Sequence, residues 1–203
     1  MRLVDAVSLR SRRRKLKLFL ETMRPTAATR VLDVGADDSA FGERRGSCGT
    51  LNFFEELYPW PERITAVGVN EGRHFVERYP RTRYVQADAL ELPFADGEFD
   101  VYFSNAVIEH VGPRAAQRRF VAEAVRVAPR VFVTTPNRWF PIELHTRAPL
   151  VHWLPDAAAR RAYDLLRKPW AKENHLLGPA DLRELFPVDV RIVNLGMTLV
   201  AIV

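Results

Sequence analysis

Short apolar runs and amphipathic stretches alternate along the first 135 residues. Leu3 to Met23 reads as one helix closed by Pro25, with Leu9, Leu16, Phe19 and Leu20 on a loose helical stripe. Arg30-Val31-Leu32-Asp33-Val34-Gly35 is a buried type of strand running into a turn. Phe53, Phe54, Leu57 and Tyr58 return to helical spacing and stop at Pro59-Trp60-Pro61. Ile64 to Val69 predicts a second strand, 71–79 a short helix, and Arg83 to Gln86 a third strand before Ala87-Asp88. A turn over 93–98 leads into a fourth strand, Phe99 to Ser104. Pro113 stands at the first position of a helix that sets Phe120, Val121, Ala124, Val125 and Ala128 on one stripe. Arg130 to Thr135 is a fifth strand, halted by Pro136. Residues 137–180 are aromatic and proline-punctuated, with one helix near 156–167. A helix at 179–185 precedes two closing strands, Val188 to Val193 and Met197 to Val203, with a hairpin signal at Asn194-Leu195-Gly196. The alternation predicts an α/β fold whose parallel sheet has helices on both faces, and the last pair predicts an antiparallel edge.

Length and composition narrow this picture. A chain of 203 residues fits one domain, 1–203, with 1–25 as an N-terminal helix and 137–180 as an insertion covering the site. With 47% hydrophobic and 27% charged residues, disorder is excluded as the global description. No apolar run approaches the roughly 18 residues of a spanning helix, and no secretory signal is visible. Cys48 is the single cysteine, which excludes an internal disulfide and a cysteine-built zinc site and suits a reducing, cytoplasmic setting. The net charge of +5 raises the question of nucleic acid, but only four of the 30 basic residues are lysines and most are dispersed. The exception, Arg10, Arg12, Arg13, Arg14, Lys15 and Lys17, reads as the solvated face of the first helix, so no nucleic-acid partner is expected.

Ligands of open parallel sheets bind at the carboxyl ends of the strands. Those ends carry Asp33 and Gly35, Asn70, Asp88, Ser104 and Asn105, then Thr134, Thr135 and Asn137. Each suits a ligand rich in hydroxyl and amino groups, and each would also serve as a cap. The runs Val31-Leu32-Asp33-Val34-Gly35, Ala87-Asp88-Ala89-Leu90-Glu91-Leu92-Pro93-Phe94, Phe99-Asp100-Val101 and Asn105-Ala106-Val107-Ile108-Glu109-His110-Val111 resemble class I S-adenosylmethionine-dependent methyltransferases. A second run, Thr134-Thr135-Pro136-Asn137-Arg138-Trp139-Phe140-Pro141-Ile142-Glu143-Leu144-His145-Thr146, resembles a bacterial subgroup of them, some of whose members are thought to act in glycan or envelope biosynthesis.

The resemblance implies a Rossmann-like sandwich: a mostly parallel seven-stranded sheet with an antiparallel C-terminal strand. It implies S-adenosyl-L-methionine as methyl donor. Asp33 and Gly35 match the turn at the methionine end, Asn70 the ribose position, and Asp88 with Ala89 the adenine position. Ser104 and Asn105 match the sulfonium side. The family's turn is Asp-x-Gly-x-Gly-x-Gly, whereas here Asp33-Val34-Gly35-Ala36-Asp37-Asp38-Ser39 keeps only the first glycine. Asp37 and Asp38 fit two roles, meeting the donor's amino group or capping a helix.

Methylating an oxygen benefits from a base. His110 follows strand four, and Glu143 and His145 stand on the covering segment. These three are the catalytic candidates, although His110 would also serve as a packing residue. Glu143 and His145, two apart, would share one face of a strand; with His152 they form a possible metal set, but their spacing is not diagnostic and no metal is expected. Trp139, Phe140, Trp153 and Trp170, with Arg138 and Arg147, suit a sugar, a phenol or an anionic group. The expected activity is O-methylation of a small molecule or glycan precursor. The alternatives are a catalytically silent relative that binds a ligand, or a nucleic-acid methyltransferase.

Overall fold

A computed structural model describes residues 3–39 and 52–203. Cys48 and most of the polar stretch ahead of Phe53 lie outside the described residues. Helix α1 spans Leu3–Met23 and ends before Pro25. Among the described residues the sheet has seven strands: β1 (Val31–Val34), β2 (Ile64–Gly68), β3 (Arg83–Gln86), β4 (Val101–Asn105), β5 (Val131–Pro136), β6 (Arg191–Asn194) and β7 (Thr198–Ile202). Their order is β3-β2-β1-β4-β5-β7-β6. The first five pair in parallel, with Val34 opposite both Val67 and Ser104. The closing pair forms the antiparallel end of the sheet, with β7 between β5 and β6 and running against both.

The alternation of side chains across each strand creates two cores. One face packs Phe103 and Phe132 against α1, α2 (Phe53–Leu57) and α3 (Arg73–Arg78). Phe19 of α1 is fully buried there, edge-on to Phe54 at 5.0 Å and to Phe103 at 5.5 Å. The other face packs Tyr102 and Val133 against α4 (Arg114–Val127) and α6 (Pro179–Leu185). Pro113 is the N-cap of α4 rather than its first residue.

The basic run on α1 is not wholly solvated. Arg13, Arg14 and Lys17 are exposed, but Lys15 is buried, because the stripe that inserts Phe19 turns the residue four positions earlier inward as well. Helix α5 (Asp156–Leu165) and a 3-10 turn at Pro169–Glu173 form a small satellite cluster around Ala159, Tyr163 and Ala171. A bridge between Asn137 and Leu177 ties this segment to the carboxyl edge of the sheet.

Candidate active site

The parallel topology brings the ends of β1 to β5 to one edge. At the first, Gly35 has φ +110°, and its N–H and that of Ala36 both donate to the carbonyl of Val67 at 2.9 Å. A Cβ on Gly35 would stand 2.1 Å from Cγ2 of Val107, so this glycine is required both by its backbone and by the close approach. Asp33 is not in the turn. It lies within β1, buried, against Glu55 of α2. Burial and the facing Glu55 carboxyl push the Asp33 pKa well up, and burial raises Glu55 also. Both shifts favour the protonated carboxyls. Asp37 bonds to Asn52 through both backbone groups, N–H to Oδ1 and C=O from Nδ2, each at 2.8 Å. Asp38 accepts the N–H groups of Gly72 and Phe75 at the start of α3, whose N-cap residue is Gly72.

Asn70 and Asp88 are exposed on the same edge, and Ala89 is partly so. Tyr84 donates its hydroxyl to the Asn70 carbonyl at 2.9 Å, and Oδ1 of Asp88 accepts the N–H of Leu90 at 2.9 Å. Ser104 is fully buried and donates its hydroxyl to the Val34 carbonyl at 2.7 Å, which directs it into the sheet instead of towards a ligand. Asn105 accepts hydrogen bonds at Oδ1 from the Lys15 ammonium and from the Thr134 hydroxyl. Burial, then Arg12, lower the Lys15 pKa to about 8 against the pull of Glu109.

The catalytic candidates converge. Nε2 of His110 and Nε2 of His145 are 3.2 Å apart. Nδ1 of His145 is 2.8 Å from Oε1 of Glu143, which also accepts the His145 N–H, while Oε2 accepts the N–H of Thr146. Those bonds outweigh burial and hold the Glu143 pKa at about 2. Burial opposes charge on His145, but Glu143 and Glu109 raise its pKa overall. Burial and the neighbouring His145 lower that of His110. His152 stands apart, with Nε2 3.0 Å from the Phe140 carbonyl, so the set Glu143, His145 and His152 does not form.

Sequence reasoning missed Glu109. It is fully buried between the two histidines and β5, and Oε2 accepts the Thr135 hydroxyl at 3.0 Å. Burial raises its pKa to about 7 against His145 and its hydrogen bonds. Its adjacency to His110 was the available signal. Beside the cluster a cavity of about 360 Å³ is lined by Arg114, Arg138, Arg160, Lys172 and Asn174 among others, with no carboxylate among the described lining residues. Arg114 pairs with Asp181 at 2.6 Å, and Arg138 lies over the Trp139 ring. Arg147 is exposed and does not line it.

Residues 46–130 match the family model described as a methyltransferase domain. A stretch of 65 residues is 40% identical to the "Probable S-adenosylmethionine-dependent methyltransferase" of Mycobacterium tuberculosis; it is 32% of this chain and spans about a quarter of the relative, 24%. Among solved structures, the PH0226 protein of Pyrococcus horikoshii superposes with a TM-score of 0.62 at 16% identity over 96% of this chain and 89% of that one. The N-methyltransferase NodS of Bradyrhizobium japonicum, solved with S-adenosyl-L-homocysteine, gives 0.56 at 18% identity over 94% and 85%. At such identities these two likenesses speak for fold alone. The sheet order, the matched segment and the curated relative together show a chain similar to class I S-adenosylmethionine-dependent methyltransferases, most directly over residues 46–130.

Proposed function

We propose that the chain methylates an oxygen of a small molecule or glycan precursor that carries an anionic group, with S-adenosyl-L-methionine as donor. The observation that carries this reading is the meeting of His110, His145 and Glu109 one residue along β5 from the Asn105–Thr134 contact. On the donor side, Asp88 offers a carboxylate at the rim, and Gly35 holds the tight turn after β1. Asn70 suits a ribose hydroxyl, and Lys15 suits a carboxylate at the methionine end. Ser104 supports Asn105 from within β4.

When bound, the donor supplies a methyl carbon on a positively charged sulfur. The acceptor oxygen forms the new bond to that carbon, and the pair of the broken C–S bond stays on sulfur. The hydroxyl proton leaves at the histidine cluster, where Glu143 fixes the His145 ring by taking its Nδ1–H. Excluding water and aligning the two reactants supply much of the rate. The segment 137–180 covers the acceptor, whose anionic group enters the cationic cavity.

The test has two parts. Calorimetry with donor and demethylated product should show binding of both; binding of neither at millimolar concentration overturns the reading. Labelled donor supplied to a fractionated extract of the source cell should then mark a small acidic acceptor. Label on nucleic acid, or none, overturns the acceptor class.

A further inference from the structure

The three groups at the heart of the cluster are spaced as ligands. Oε1 of Glu109 is 3.9 Å from Nε2 of His110 and 3.7 Å from Nε2 of His145, and the two nitrogens are 3.2 Å apart. A triangle with those sides has a circumradius of about 2.1 Å, so one point is equidistant from all three atoms at the length of a zinc–nitrogen or zinc–oxygen bond. The Glu109 carboxylate is fully buried, and among the described residues Oε1 has no hydrogen-bond partner. A proton between the two rings would serve two of the three atoms and leave that oxygen unsatisfied. A divalent cation serves all three.

The outer contacts agree. Glu143 takes the Nδ1–H of His145 and so leaves a lone pair on Nε2; Thr135 fixes the second oxygen of Glu109. A carboxylate behind a ligating histidine is the usual support of such a ligand. Glu109 and His110 come from the loop after β4, and His145 from the covering segment, so an ion would also pin that segment to the sheet. We infer that Glu109, His110 and His145 bind one divalent transition ion of the zinc class, with positions left open for water or the acceptor. Two nitrogens and one oxygen favour zinc, cobalt or manganese over magnesium, which prefers six oxygens.

The site's existence does not depend on the methyl-transfer reading, but its use in the reaction rests on it. With an ion bound, both Nε2 lone pairs are taken, so an acceptor hydroxyl coordinated there would release its proton to water in place of the histidines, and the resulting oxygen anion would attack the methyl carbon.

The test uses the untagged full chain, stripped with a chelator and titrated with zinc by calorimetry and with cobalt by visible absorption, without donor or acceptor. One ion per chain is expected, with cobalt d–d bands. Glu109→Gln and, separately, the half-exposed His110→Ala should each abolish stoichiometric binding. Glu143→Gln should weaken it ten- to hundredfold. His74→Ala, on the exposed surface, should leave it unchanged. Circular dichroism and calorimetry with the demethylated product, run on every variant, report folding and the donor site separately. Failure of the wild-type chain to bind zinc, or binding retained in folded His110→Ala, overturns the proposal. Zinc binding in a chain that binds no donor supports it and sinks only the methyl-transfer reading.

Discussion

Lys15 of the first helix donates its ammonium to the side chain of Asn105 at the end of β4, ninety residues away in sequence. The contact fastens α1 to the edge where ligands enter. It also places a buried cation there. Burial holds the folded pKa of Lys15 at about 8, against 10.5 when solvated. Below pH 8 the ammonium persists in both states, and the fold bears a cost of roughly 3 kcal/mol. Between about pH 8 and 10.5 the folded chain sheds the proton first, so this residue adds stability as pH rises. Urea titrations of wild type and Lys15→Met over that range should differ in slope, with the rise smaller in the variant. Equal slopes would show that Lys15 does not titrate there.

The buried Asp33–Glu55 pair predicts an opposite dependence. Both carboxyl pKa values lie above their solvated values. Stability from this pair is complete below about pH 4, where both groups are protonated in either state. It is lost as pH rises through the folded pKa values. Asp33→Asn removes one ionisable group and keeps a hydrogen-bond donor for Glu55. Its melting temperature should exceed that of wild type by several degrees at pH 8, each kcal/mol being worth about 2–4 °C in a chain of this size. The gain should shrink towards pH 4. A lower melting temperature at pH 8 would mean that the charged form of Asp33 is stabilised by something else.

Asp88 stands exposed beyond β3 with one oxygen already on the Leu90 N–H. If it takes the adenine amino group, Asp88→Ala should weaken donor binding roughly ten- to hundredfold, as expected for a hydrogen bond to a charged group. Asp88→Asn should lose less, since its carbonyl still accepts. Calorimetry with the donor measures both, and unchanged affinity in Asp88→Ala removes this residue from the donor site.

Gly35 faces two separate demands, a left-handed backbone and the Cγ2 of Val107 at 2.1 Å from where a Cβ would be. Gly35→Ala should therefore lower stability by a few kcal/mol, of which about 1–2 is conformational. Adding Val107→Ala should recover only the contact part. Full recovery would show that the backbone strain is negligible; no recovery would show that the turn rearranges instead.

The periodic elements were legible from the chain because each has a strong local signal. Helix α1, the parallel strands and the closing pair occur near the predicted positions. The place of β7 was not legible, since the hairpin signal at Asn194-Leu195-Gly196 pairs β6 with β7 but does not say which of them meets β5. In the site, His110, His145 and Glu143 could be named from residue type and position. Glu109, Lys15 and Glu55 could not: each is a charged residue inside a helix-like or loop stretch, where solvation is the ordinary outcome. What buries them is the meeting of segments far apart in sequence, such as Thr135 with Glu109 and α1 with β4. Ser104 shows the reverse, a polar residue at a strand end whose neighbour's carbonyl claims its hydroxyl.

The insertion of β7 beside β5 also bears on how the chain is made. Until Thr198–Ile202 pairs, β5 is an open edge reading Val-Phe-Val-Thr-Thr-Pro, uncharged and rich in β-formers. A nascent chain emerging from the ribosome presents that edge for more than sixty residues of further synthesis before its cover arrives. The strand that carries both threonines of the site is thus the one most exposed to self-association during synthesis. A version ending before Met197 should be recovered mainly as aggregate, and co-expressed chaperone should spare the full chain more at high temperature than at low.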